Sequence, residues 1–355
     1  MSVDRFVTAT AGLTVAGIAL FASSAIWATV TAVAAGSSSA AVTALILGSG
    51  LTLVLSVLLA AWRPELVPAG LVGGAVGLLL LDAEATLRSG PLQGPFGYAN
   101  ATAAFFVQAI VAALMVVVAS RSAVPRVGGM VAAGAFVFVI FVTRSWTAAI
   151  LLPLVVGITL LVERARGGRA AVVVSAGLFA AAVVLTVVLG ASRLGSDGGA
   201  VGGVVGDTIS QNRVTLWNEA LSLMVREPVL GVGPGRFATA SPTAASDADL
   251  RWAHNEFLQA GAESGLPGFL LTVSIFLWGF AALWLGQPSR LVVLASAGLA
   301  AVGIHASVDY VLHFPAVTLA AAAVVGTGLG ADRLGARREG PVGEVEAAVS
   351  VRRSA

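Results

Sequence analysis

Residues 127–162 read VGGMVAAGAFVFVIFVTRSWTAAILLPLVVGITLLV, and Arg144 is the one charge in the run. As a single helix this stretch would be roughly 54 Å long at 1.5 Å per residue, well past a hydrocarbon core of about 30 Å. It must therefore cross an apolar layer twice and turn at Arg144. Similar apolar stretches recur along the chain. Together they predict about ten spans, near 7–33, 40–61, 66–82, 100–119, 127–143, 146–162, 170–190, 266–285, 291–308 and 314–330. Of the 355 residues, 57% are hydrophobic and 11% are charged, where a soluble domain carries about a quarter charged residues. The mean hydropathy is +0.94. The expected fold is an all-α polytopic membrane protein of about ten transmembrane helices, with one long extracytoplasmic loop containing short helices. The N-terminal segment has the charge order of a signal sequence, but its apolar region is too long for a cleaved one. It reads as a retained first span.

Composition excludes several chemistries. A net charge of +2 leaves no nucleic-acid footprint. The absence of cysteine removes thiol catalysis, disulfides and thiolate metal sites. Three histidines without an HxxxH pair argue against zinc, so neither a metal nor a cofactor is expected. Ser, His and Asp all occur, but no GxSxG elbow supports a serine hydrolase.

All 20 basic residues are arginine. Alternating the spans puts Arg5, Arg63, Arg121, Arg126, Arg164, Arg166, Arg169, Arg290, Arg333, Arg337 and Arg338 on one side. The positive-inside rule makes that side cytoplasmic and both termini with it. Residues 1–330 form the integral membrane domain, and 331–355 a polar tail expected to be disordered and cytoplasmic. The opposite face receives residues 83–99, the turn at Arg144 and the long loop 191–265. Arginines on that face, Arg88, Arg144, Arg213, Arg236 and Arg251, break the charge preference and are the better functional candidates.

The loop carries most of the polar chemistry. Residues 195–206 (GSDGGAVGGVVG) read as a glycine-rich hinge. Asp207 is then a candidate N-cap for a helix to about Arg226, stopped by Glu227-Pro228. Trp217, Ala220, Leu221 and Met224 share its apolar face, and Arg213 lies on that face too. Arg213 is equally readable as an arginine snorkelling at a membrane surface. GVGPGRF, from Gly231 to Phe237, is a tight turn whose N–H groups could cradle an anion, or a plain structural turn. A second helix is expected from near Trp252 to Gly265, ended by Pro267, with His254, Phe257, Leu258 and Gly261 on one face. A lone histidine on such a face is as readable as packing as it is as a catalyst. Arg144 with Trp146 could equally be an interfacial anchor. In HASVDYVLH, Asp309 could be the counter-ion for one of the arginines.

Taken in order, these residues resemble the O-antigen ligase and O-antigen polymerase superfamily of bacterial membrane glycosyltransferases. The ligase motif H-[NSR]-x9-G-x-x-[GTV] is matched by His254, Asn255, Gly265 and Gly268. The segments R-x3-W (Arg213, Trp217), P-x2-G-x-G (Pro228, Gly231, Gly233), GYAN (Gly97 to Asn100), the TRS turn and SVDY are also similar to the family. The resemblance covers about residues 90–330.

It implies inverting, metal-independent transfer of a glycan from an undecaprenyl-pyrophosphate-linked donor to an acceptor hydroxyl, at the outer face of the cytoplasmic membrane. The acceptor would be a glycan, a lipid or a protein, and membrane lipids would surround the chain. It further implies His254 as general base, with Arg213 and Arg144 on the pyrophosphate. Arg88, Tyr98, Asn100, Trp217, Gly233, Arg236, Arg251 and Asn255 are the further substrate contacts. A polymerase would use the same donor and another glycan chain as acceptor. From a different class, a polytopic transporter competes, although its polar residues would be expected in repeated halves and not in one asymmetric loop.

Overall fold

The computed structural model describes residues 3–81, 94–192 and 211–338. Every predicted span corresponds to a helix or an interrupted pair: α1 (Val3–Ala35), α2 (Ala40–Ala60), α3 (Leu66–Leu81), α4 (Ala99–Ala119) and α5 (Ala123–Thr143) come first. Next come α6 (Trp146–Leu151) and α7 (Gly157–Arg166), then α8 (Gly168–Ala191). A wider turn, Leu152–Val156, joins α6 to α7. It contains Pro153, which has no N–H to give, so the helical ladder opens by one residue there. The loop holds α9 (Gln211–Arg226), α10 (Phe237–Ala240) and α11 (Pro242–Ser246), and the chain then re-enters through α12 (Glu256–Leu285), α13 (Arg290–Val308) and α14 (Pro315–Arg338). Among the described residues seven helices are long and apolar enough to cross a membrane, while α3 and the apolar part of α14 are shorter.

Helices α4 and α13 form the centre. Their most apolar stretches are 83% and 89% buried, against 28% in α5 and α8, so α5 and α8 turn most of their surface outward. That outward surface carries Phe138, Phe141, Val173, Val184 and Leu185, a composition suited to hydrocarbon and not to water. Close approach in the centre depends on small residues. Gln108 of α4 donates to the Gly298 carbonyl of α13 at 3.0 Å, and a Cβ at Gly298 would sit 3.1 Å from the Gln108 side chain.

Three expectations need correction. The second loop helix does not stop at Gly265. Instead α12 runs on into the membrane stretch through a kink at Ser264 and Gly265, where the backbone leaves helical angles. Pro267 causes the break but does not end the helix, because other groups take up the freed carbonyls. Val232 N–H donates to Ala262 O at 2.9 Å and Gly233 N–H to Glu263 O at 2.9 Å. Trp27 of α1 donates to Ser264 O at 2.8 Å, and Leu266 N–H returns to Pro228 O at 2.8 Å. The PxxGxG turn and the GxxG kink are thus two halves of one clasp. Second, His254 is not on the helix. Asn255 is the N-cap, its side chain accepting from Leu258 N–H, so His254 lies one residue outside. Third, the tail begins as helix, since α14 continues to Arg338. Asp207, the hinge 195–206, Arg88 and residues 339–355 lie outside the described residues.

Candidate active site

Asp309 is the residue around which the site is built. It follows the last turn of α13 and is fully buried, and donors reach it from three other segments. Tyr98, the N-cap of α4, donates its hydroxyl to both carboxylate oxygens at 2.8 Å. Asn100 Nδ2 donates to Oδ2. Arg213 Nη2 of α9 lies 3.1 Å from Oδ2, and Arg213 Nη1 donates to the Val308 carbonyl. His254 Nδ1 is 3.0 Å from Oδ1. The expectation that Asp309 is the counter-ion of an arginine is therefore met by Arg213.

The electrostatics follow from this crowd of donors. Burial works against a charged carboxylate. The hydrogen bond from His254 and the positive charge of Arg213 outweigh it and hold Asp309 below the usual carboxylate range. Burial raises the Tyr98 hydroxyl, and the neighbouring Asp309 charge raises it further, so Tyr98 remains a donor. An ionised Asp309 can only accept, so His254 Nδ1 carries the proton of this contact and Nε2 is the ring nitrogen left for another partner. Trp217 fixes the backbone beneath, donating its indole N–H to the His254 carbonyl at 3.1 Å. Asn255 Nδ2 donates to Ser307 O at 2.7 Å, tying the same turn to the end of α13. The Asp309 side chain has no exposure, whereas those of His254 and Arg213 keep 11% and 21%. Substrate would thus meet the imidazole and the guanidinium but not the carboxylate.

A second chain of contacts leads to the TRS turn. Ser145 Oγ donates to Asn100 Oδ1 at 2.7 Å, and Asn100 in turn holds Asp309. Arg144, just before Ser145, is exposed and pairs with no acid among the described residues. Arg144 (φ 54°) and His254 (φ 48°) are the non-glycine residues with positive φ among the described residues. Left-handed backbone at non-glycine positions costs about 1–3 kcal/mol and persists where the surroundings impose it.

The other expected contacts are placed differently. Gly233 packs against α1, where a Cβ would lie 2.3 Å from Ala35. The N–H groups of its turn face the chain's own Glu263, with Gly235 N–H at 2.9 Å and Phe237 N–H at 3.2 Å. Arg236 is exposed and donates to Gly36 O at 3.3 Å, and Arg251 is exposed beside the loop. Neither forms a bond to Asp309 or His254. Sequence reasoning did not single out Ser145, Tyr310 or Trp252 as parts of this site. Tyr310 stacks on Tyr98 with ring centroids 4.6 Å apart and meets the His254 ring edge-on at 4.9 Å. Trp252 stacks on Tyr310 at 5.9 Å. The clue available beforehand was an acid followed by an aromatic at the end of an apolar helix. Among the described residues no three His, Asp or Glu side chains converge as a metal site would require.

The fold and the centre together define a multi-pass membrane protein with an ion-paired, histidine-bearing site at the junction of a loop and the membrane helices. The O-antigen ligase family model matches residues 108–273, a match that supports the O-antigen ligase superfamily for this chain. That match spans Arg144, Arg213 and His254 and stops short of Asp309. No curated protein matches the chain. Glycan transfer of the ligase or polymerase type, on lipid-linked glycans in a membrane, is the general activity that this family supports.

Proposed function

We propose that the chain is a metal-independent glycosyltransferase of the outer face of a bacterial cytoplasmic membrane. It moves a glycan, with inversion, from undecaprenyl pyrophosphate to an acceptor hydroxyl. The observation that carries this reading is the His254–Asp309 pair, with Nδ1 held at 3.0 Å, the imidazole keeping 11% exposure, and Arg213 paired to the same carboxylate. The acceptor hydroxyl gives its proton to His254 Nε2 as its oxygen forms a bond to the anomeric carbon. The bond from that carbon to the pyrophosphate oxygen breaks, and its electron pair leaves with the phosphate. Asp309 stabilises the imidazolium that forms. Arg144, which pairs with no acid among the described residues, and the remaining N–H groups of Arg213 offset the charge developing on the leaving group. A centre built from one asymmetric loop and the helix ends, and not from repeated halves, supports an enzyme over a transporter.

The test uses purified full-length protein with a lipid-linked donor and a defined acceptor. His254→Ala should lower single-turnover transfer by roughly 10²–10⁴-fold while donor binding persists. Activity should survive excess chelator. Near-normal turnover without His254 would remove the proposed base, and a chelator block reversed by magnesium or manganese would overturn metal independence. Product size separates chain extension from transfer to an unrelated acceptor.

A further inference from the structure

A cavity of ≈ 280 Å³ lies between α1, α2, α12 and α14, apart from the Asp309 centre. Its length is apolar, with Phe21, Leu45, Leu53, Ile275 and Val325 among the walls. Its lining positions follow one pattern. On α2 they run from Val42, near the loop-side end, to Leu53, and on α14 from Thr318 to Val325. Eleven residues of helix rise about 16 Å, so the slot reaches roughly half of a hydrocarbon core of about 30 Å. Those dimensions suit one hydrocarbon chain entering from the loop side.

The head of the slot is polar. Glu256, Gln259, Glu263, Ser264 and His313 line it, and among its described lining residues there is no arginine. His313 Nδ1 is 3.1 Å from Glu256 Oε1, which also accepts the Leu312 and His313 N–H groups at 2.7 and 3.1 Å. This second histidine–carboxylate pair adjoins the first through aromatic rings. Trp252 lies 4.4 Å from His313 and stacks on Tyr310, which touches His254.

Charge decides which lipid fits. A pyrophosphate placed here would face two carboxylates, Glu256 and Glu263, against the one imidazole of His313, which Glu256 already engages, and no guanidinium among the described lining residues, an arrangement that like-charge repulsion opposes. A hydroxylated, uncharged head would instead donate to those carboxylates. We infer that the slot holds the hydrocarbon chain of the acceptor, a lipid with an uncharged, hydroxyl-bearing head, and that Glu256 and His313 receive that head. This rests on the reading that an acceptor hydroxyl is activated at His254. The acceptor is then a membrane-anchored molecule that brings its hydroxyls to the base from the α12–α14 side, while the donor phosphates occupy the arginine side.

The experiment reads binding and not transfer. Full-length protein in lipid nanodiscs is photolabelled with a dodecyl glucoside carrying a diazirine at the chain end. Label should fall on peptides of α1, α2, α12 or α14 and be displaced by unlabelled dodecyl glucoside but not by farnesyl pyrophosphate. Ser49→Trp, which fills the slot from α2, and Ala28→Phe, which fills it from α1, should each cut labelling about tenfold or more. Glu256→Gln should weaken labelling by about tenfold, through loss of a charged hydrogen-bond partner for the head. Equal displacement by farnesyl pyrophosphate would give the slot to the donor and overturn the inference. So would equal labelling by a dodecyl probe without the sugar, or labelling indifferent to both filling variants. A chain that labels as expected yet transfers no glycan would sink the proposed function and leave the slot standing.

Discussion

At the scale of single residues, Arg144 and His254 hold left-handed backbone that glycine would adopt at less cost. Arg144 caps the end of α5 with φ 54° and ψ 24°, a position where glycine is the usual choice. Arg144→Gly should therefore raise stability by about 1 kcal/mol. On the proposed role it should also weaken donor binding, by the about 1.5–3 kcal/mol that a charged hydrogen bond contributes. Thermal unfolding in detergent, beside donor affinity, checks both. A variant that is more stable and binds donor normally would return Arg144 to the role of interfacial anchor. Asp309 makes a different prediction. Asp309→Asn keeps the shape but need not accept from Nδ1, so the base loses its fixed tautomer and Arg213 its counter-charge. Turnover should fall by about 10²–10⁴-fold, and single-turnover rates at matched protein levels measure it. A fall confined to protein yield would mean that the carboxylate only supports the fold.

At the scale of elements, the clasp around the α12 kink explains why glycines recur at the spacings of both motifs. Gly231 and Gly265 have φ of +65° and +68°, and a Cβ on either would lie 2.4 or 2.2 Å from backbone of the opposite half. Gly231→Ala and Gly265→Ala should each destabilise the chain by several kcal/mol through strain and lost kink hydrogen bonds. Gly235→Ala, with positive φ but open space around it, should cost only about 1 kcal/mol. Melting temperatures of the three variants decide whether contact or dihedral strain governs the clasp. The turn after α13 adds a pH dependence. Burial opposes protonation of His313, but Glu256 beside it outweighs this and raises His313 from 6.5 to about 9. A raised histidine contributes stability that is full below 6.5 and lost as pH rises through about 9. Wild-type melting temperature should decline across that window, and His313→Gln should flatten the decline. An identical slope in both proteins would count against the pair.

At the scale of the whole molecule, the arrangement of helices brings Tyr98, Asn100, Arg213, His254 and Asp309 together from positions up to 211 residues apart. On the proposed topology this centre opens to the outside of the cell. The native chain has no cysteine, so engineered ones report without background. Ser246 and Gly167 are both exposed and fall on opposite sides of the proposed membrane. A cysteine at Ser246 should react with an impermeant thiol reagent in whole cells, and one at Gly167 only after the membrane is opened. The reverse pattern would invert the topology and move the site to the cytoplasm.

What the sequence determined on its own was the set of membrane helices and the identity of the polar candidates. Apolar run length is a local property that hydrocarbon thickness reads directly, so helix boundaries agree with expectation to a few residues in most cases. The face of α9 was legible for the same reason, since a four-residue spacing puts Arg213 above Trp217 whatever surrounds them. The tertiary structure decided how these residues meet. That Asp309 orients His254 while Arg213 and Tyr98 hold Asp309 depends on contacts across many helices, which no local periodicity encodes. The glycine turn had the composition of an anion cradle, and only packing revealed that the chain's own Glu263 occupies it. The helix expected to stop at Gly265 continues because donors from α1 and from the PxxGxG turn satisfy the carbonyls that Pro267 leaves free. Those partners are remote in sequence, and hydrogen-bond satisfaction in an apolar layer is settled only when they meet.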